Sequence, residues 1–220
     1  MSDLMKLELV DQDGAIREAE EAVAGDSRAD FFRKAAVTGG AALGGGVLLS
    51  GFPSIALGQK PSKKNDVAIL NFALTLEYLE SEFYKEALAK TGLTGDNLAV
   101  TKIVSAHENT HVAFLKKQLG KSAIKKPTFN FGATTANQTN YLKTAVLLED
   151  TGVKAYSGQA TNIKQAAVVK AAVSILTVEA RHASRFRALN QANFAPAAFD
   201  KAATKGQILS AVKKTKFIQS

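Results

Sequence analysis

The sequence predicts an all-α fold, a four-helix bundle with one long crossover between helices two and three. From Asn65 onward, apolar residues recur at i+3/i+4 spacing in four long segments separated by turn residues, and no run alternates with a period of two. Residues 121–136, between the second and third segments, hold a proline and a glycine and show no helical period. Each segment also carries acidic residues, alone or paired with histidine, inside a stripe that is otherwise apolar. A chain of 220 residues suffices for one well-buried domain with appendages. With 46% hydrophobic and 22% charged residues it is not globally disordered. The absence of cysteine excludes disulfides, thiolate metal sites and a cysteine nucleophile.

The organisation reads in four parts: 1–34, an acidic extension with a basic end; 35–56, an apolar export segment; 62–191, the bundle; and 192–220, a tail. Residues 35–59 contain no charged side chain and follow Arg28, Arg33 and Lys34. A basic region, an apolar region and the small-x-small site Ser54-Ile55-Ala56 describe a signal peptide cleaved after Ala56. The stretch Ser27-Arg28-Ala29-Asp30-Phe31-Phe32-Arg33-Lys34 is similar to a twin-arginine export signal, with Ala29 in place of the second arginine. The expected location is the periplasm or cell envelope. An uncleaved membrane anchor is the other reading, weakened by five glycines between positions 39 and 46. No role is assigned to residues 1–26.

Helix one is expected at about 65–90, with Leu70, Leu74, Glu77, Ser81, Tyr84 and Leu88 inward. Gly92 and Gly95 mark the turn, and Asp96 is placed to cap helix two, at about 96–119, with Val104, Glu108, His111, Leu115 and Leu119 inward. The connection of sixteen residues can reach about 50 Å when extended, more than the roughly 36 Å of a 24-residue helix, so it can cross the whole bundle. Helix three covers about 137–160, with Leu142, Val146, Glu149, Val153, Tyr156 and Ala160 inward; helix four covers about 164–191, with Val168, Ala172, Ile175, Glu179, His182, Phe186 and Leu189. A short helix around 204–214 follows Ala195-Pro196 and is expected to be packing, a lid or an assembly contact.

The buried polar residues repeat. Glu77 precedes Glu108 by 31 positions and Glu149 precedes Glu179 by 30; histidine follows three residues after each second glutamate, and Tyr84 and Tyr156 follow seven after each first. One glutamate from each of two helices, with Glu-x-x-His from each of the other two, is the ligand set of a carboxylate-bridged two-metal centre. A lone buried carboxylate is costly unless paired, protonated or metal-bound. Glu108 and Glu179 are expected to bridge the ions, Glu77 and Glu149 to bind terminally, and His111 and His182 to cap one ion each. Tyr84 and Tyr156 fall where a phenol can hydrogen-bond a ligand or serve as plain core. Hard oxygens with one imidazole per ion suit iron or manganese. Glu80, three residues after Glu77, is an alternative ligand.

With these residues in view, the chain resembles the ferritin-like superfamily. NFALTLEYLESEFY, SAHENTHVAFL, LLEDTGVKAY and TVEARHASRFRAL resemble its exported, desiccation-related group over about 62–191, and the tail from 196 more loosely. The resemblance implies two iron ions on Glu77, Glu108, His111, Glu149, Glu179 and His182, with ferrous iron and oxygen or peroxide as partners. It implies ferroxidase, storage, peroxide-removing or oxidase chemistry, with no catalytic residue beyond the centre. Two rivals stand beside this reading. His107-Glu108-Asn109-Thr110-His111 spells HExxH, a zinc-protease motif, but that leaves the other glutamates and His182 unexplained. A non-catalytic envelope stress protein, in which metal only stabilises the bundle, fits the same ligands, so the residues do not decide whether the chain is an enzyme.

The net charge is +8, yet residues 1–27 carry eight acids against Lys6 and Arg17. From Leu57 onward 23 Lys and Arg face 11 Asp and Glu, a difference of +12. That surface favours anionic partners or simple solubility. No basic run is interleaved with aromatics, which argues against nucleic acid. A homodimer or larger homo-oligomer is compatible with a helical bundle, and no motif selects one.

Overall fold

In the computed structural model, which describes residues 62–219, five α-helices follow one another: α1 (Lys63–Lys90), α2 (Gly95–Leu119), α3 (Gln138–Gln159), α4 (Ala166–Leu189) and α5 (Lys205–Thr215). The described residues form no strand beyond one isolated bridge, Phe129 with Ile218. None of their helices is long and apolar enough to cross a membrane. The expected export signal, its expected cleavage site and the acidic extension lie outside the described residues.

α1 and α2 pack along each other as one hairpin, and α3 and α4 as a second. The crossover between the hairpins runs up the side of α1. Asn71 holds its start, donating to the Ser122 carbonyl and accepting from the Ile124 amide; Lys126 then reaches Glu82. At the far end Thr135 bonds Glu86 through its hydroxyl and accepts from Thr91 through its carbonyl. From Asn71 to Thr91 is about 30 Å of helix, within reach of the extended chain between Ser122 and Thr135. α3 therefore starts beside the C-terminal end of α1 and runs antiparallel to it.

The helix ends are fixed by identifiable groups. Ser62, Asn137 and Thr204 accept from the backbone amides of Asn65, Asn140 and Gln207 and so cap α1, α3 and α5. Asp96 does not cap α2. Thr94 occupies that position, since Gly95 (φ 53°) begins the helix one residue earlier than its acid, and exposed Asp96 instead pairs with Arg185. α4 has no cap from its own flank. Buried Asp66, on α1, accepts from the amides of Lys164 and Gln165 and from the Gln165 side chain, tying the two N-termini together.

Two apolar clusters fill the bundle. One gathers Leu79, Phe83, Tyr84, Val104, Tyr141, Leu148 and Phe186 with Phe131 and Phe217; the other gathers Ile69, Leu74, Tyr78, Leu115, Tyr156 and Ile175. On each helix the polar residues singled out in the sequence fall between them. α1 is buried nearly all round from Phe72 to Ser81, more than one stripe, because the tail covers its outer side. Ile208 and Val212 of α5 pack on Phe72, Leu76 and Ala155. The Phe217 carbonyl accepts from Asn130, and the Gln219 amide donates to Thr128. The tail is thus packing that also clamps the crossover.

Gly158 lets the tail approach. A Cβ at that position would overlap the Ala203 carbonyl, whose own amide donates to Lys154. Gly158→Ala should therefore release α5 and lower stability by about 1–3 kcal/mol, the usual cost of overpacking. Thermal unfolding together with proteolysis of the tail checks this; an unchanged midpoint and an uncut tail would count against it.

Candidate metal centre

Glu108 and His111 lie three residues apart on the buried face of α2, and Glu179 and His182 on that of α4; Glu77 and Glu149 face them from α1 and α3. All six are buried, the four glutamates completely. The structure brings them into two overlapping groups: Glu77, Glu108, His111 and Glu179, and Glu108, Glu149, Glu179 and His182. Within each group the ligand-type atoms lie within 4.8 Å of one another. Glu108 and Glu179 belong to both, while the other four residues belong to one each.

His111 Nδ1 sits 3.1 Å from Glu108 Oε2, 3.1 Å from Glu179 Oε1 and 3.2 Å from Glu77 Oε2. His182 Nδ1 sits 3.0 Å from Glu108 Oε1 and 3.2 Å from Glu149 Oε2. Both imidazoles thus turn Nδ1 inward. The Tyr156 hydroxyl donates to Glu77 over 2.5 Å, and Tyr84 donates to Glu149. Each tyrosine therefore serves the glutamate of the other repeat. α1 and α3 are antiparallel neighbours, so position 77 meets 156 and position 84 meets 149. The sequence showed the spacing; only packing reveals the exchange.

Burial raises Glu77, Glu80, Glu149 and Glu179, and neighbouring carboxylates raise them further; Glu77 reaches about 7 although His111 opposes the shift. Burial pulls His111 and His182 down, but hydrogen bonds to the glutamates outweigh it and lift them to about 12 and about 10. Burial and the neighbouring carboxylates push the Tyr84 and Tyr156 phenols well up, so both remain donors. Even so, Glu80 Oε2 and Glu179 Oε2 are buried without a hydrogen-bond partner, and Glu108 Oε1 and Glu179 Oε1 have only an imidazole Nδ1 beside them. Buried carboxylate oxygens without donors call for a proton or a cation. A buried cluster of hard oxygens with two imidazoles can hold a metal ion, and the orphaned oxygens are where it would bind.

His107 is exposed and belongs to neither group. Its Nδ1 lies 2.9 Å from His182 Nε2, and the two rings stack 5.2 Å apart. It sits behind a candidate ligand at the rim and can fix that ligand's tautomer, and it does not share a pocket with His111 as the HExxH reading requires. Two residues of the site escaped the sequence pattern or stood at its edge. Glu80 is buried beside the centre, outside both ligand groups, and Gly152 stands against it. Gly152 occupies the position three residues after Glu149 that Glu80 occupies after Glu77, and that correspondence was the available signal.

Among solved structures the chain is similar to a hypothetical protein of Methanococcus jannaschii, with a TM-score of 0.51 at 15% identity. The match covers 71% of this chain and 97% of that one, and at this identity it speaks for the fold alone. No curated protein matches. The family model described as a ferritin-like domain matches residues 65–192, more than half of the chain. The polar layer between two apolar clusters, built by four helices and a long crossover, agrees with that match: the chain belongs to the ferritin-like domain family.

Proposed function

We propose that this is an exported ferritin-like protein whose Glu77, Glu108, His111, Glu149, Glu179 and His182 hold two iron ions, and that the centre reacts with oxygen or peroxide. The observation that carries this reading is the pair of overlapping ligand groups sharing Glu108 and Glu179. Four carboxylates offset the charge of two divalent ions, and the ligand types suit iron, with manganese next. Once bound, such an ion pair supplies reversible one-electron chemistry toward oxygen. The chain's own contribution is to hold the ligands rigidly. Tyr84 and Tyr156 orient Glu149 and Glu77, and His107 backs His182. Two apolar clusters keep bulk water away from both ends. Export rests on the uncharged run after Arg28, Arg33 and Lys34 and on the Ser54-Ile55-Ala56 site.

Ferrous iron added anaerobically should bind at about two ions per chain, the number this ligand set accommodates. Added in excess under air, it should be oxidised with oxygen uptake continuing well beyond those first ions. Uptake that stops once the sites are filled would instead identify an inert metal that only stabilises the bundle. Envelope-fraction protein that still begins before Arg28 would contradict cleaved export.

A further inference from the structure

Glu80 is buried at 2% exposure on α1, one turn beyond Glu77, and its Oε2 has no hydrogen-bond partner. The two phenols of the site donate to Glu149 and Glu77, and the adjacent Ser81 hydroxyl donates to Asn109. Across from it, α3 presents Gly152. A Cβ at that position would lie 3.4 Å from Glu80 Oε1 and 3.2 Å from Glu179 Oε2. The distance to Glu179 is tighter than most Cβ contacts and that to Glu80 is an ordinary van der Waals contact, so the glycine marks the place where the Glu80 and Glu179 carboxylates converge. In the antiparallel register of α1 and α3, position 80 falls midway between the two tyrosine–glutamate contacts, at the level of the centre itself.

Two buried carboxylates facing one glycine, both with orphaned oxygens, repel each other unless a cation or a proton lies between them. Glu179 already belongs to both candidate ligand groups. We propose that Glu80 is a fifth carboxylate ligand of the centre, binding an ion beside Glu179 in the space left by Gly152; this rests on the metal centre proposed above. The two repeats are then unequal. The α1 repeat supplies two carboxylates, at 77 and 80, while the α3 repeat supplies one at 149 and a glycine at 152. The ions sit in different environments within a nearly symmetric bundle.

The test is the affinity of the full chain for manganese(II), a redox-inert probe under these conditions, measured by equilibrium dialysis beside thermal unfolding of the metal-free protein. Glu80→Gln keeps the shape and removes the charge. A ligand lost this way should raise the Kd about tenfold or more, while the metal-free protein unfolds at the same or a higher temperature because a buried acid has gone. Glu80→Asp keeps the charge but withdraws the oxygens by one methylene, and it should weaken binding comparably. A smaller change in Glu80→Gln overturns the proposal, as does full affinity in Glu80→Asp, which would reduce Glu80 to a field effect. If the unaltered chain binds no manganese or iron, the metal centre itself fails; if it binds normally and the variants match it, only the role of Glu80 fails.

Discussion

Replacing both Glu108 and Glu179 with alanine should abolish metal binding at both ion positions, since these two residues are common to both ligand groups. Metal content per chain, measured after loading with iron and separately with manganese, should fall to background. With it should go the stability that metal confers. A ligand present at about a thousand times its Kd stabilises the native state by roughly 4 kcal/mol. In a domain of this size each kcal/mol moves the midpoint by about 2–4 °C, so loading should raise the unaltered protein by about 8–16 °C and the double variant not at all. The metal-free double variant need not be less stable than its parent, because it loses two buried carboxylates, one of them with an oxygen, Glu179 Oε2, that has no hydrogen-bond partner. A variant that still binds two ions would refute the bridging assignment.

Without metal, stability should fall steadily as the pH rises from about 5 to about 10, the reverse of what carboxylate-rich proteins usually do. Glu77 is raised from 4.5 to about 7, and burial raises Glu80, Glu149 and Glu179 as well. Between the ordinary carboxylate range and these raised values the folded chain holds protons that the unfolded chain has released, so raising the pH favours unfolding. His111 and His182 are raised from 6.5 to about 12 and about 10 by their glutamate partners, against the effect of burial. Their contribution is complete below pH 6.5 and is lost as the pH climbs through the folded values. Both kinds of group therefore act with the same sign, the protons standing where metal would bind. Metal must displace those protons, so its affinity and the midpoint gain on loading should grow from pH 5 to pH 8. Unfolding midpoints across that range, with chelator and with metal, check both trends. A metal-free midpoint that rises between pH 5 and 9 would contradict the electrostatics. In the Glu108→Ala, Glu179→Ala variant the alkaline part of the slope should shrink, since His111 keeps only Glu77 and His182 only Glu149 of the partners that hold their protons.

Much of this is local. The helix bounds agree with the sequence pattern to within two residues, because amphipathic spacing and turn residues act over short range. The stripe on α2 is buried residue for residue: Val104, Glu108, His111, Leu115 and Leu119. Periodicity also suffices to bring the two Glu-x-x-His pairs and the two lone glutamates to one level, since each interrupts an apolar stripe that must face the core. Capping was less legible. Asp96 had the right residue type, but Gly95 shifts the helix start, and the group that holds the start of α4 is Asp66, nearly a hundred residues earlier in the chain.

The amino-acid sequence by itself determined the all-α bundle, its long crossover and the six glutamates and histidines, because each follows from which face of a helix is apolar. Only the tertiary structure decided that Tyr84 serves Glu149 and Tyr156 serves Glu77, that Glu80 meets Glu179 against Gly152, and that His107 stands behind His182. It also decided that the tail clamps the crossover through Phe217 and Gln219. Those contacts depend on the register and direction in which separate helices pack. Register is set by the summed fit of many side chains across the interfaces, and no single segment of the chain encodes it.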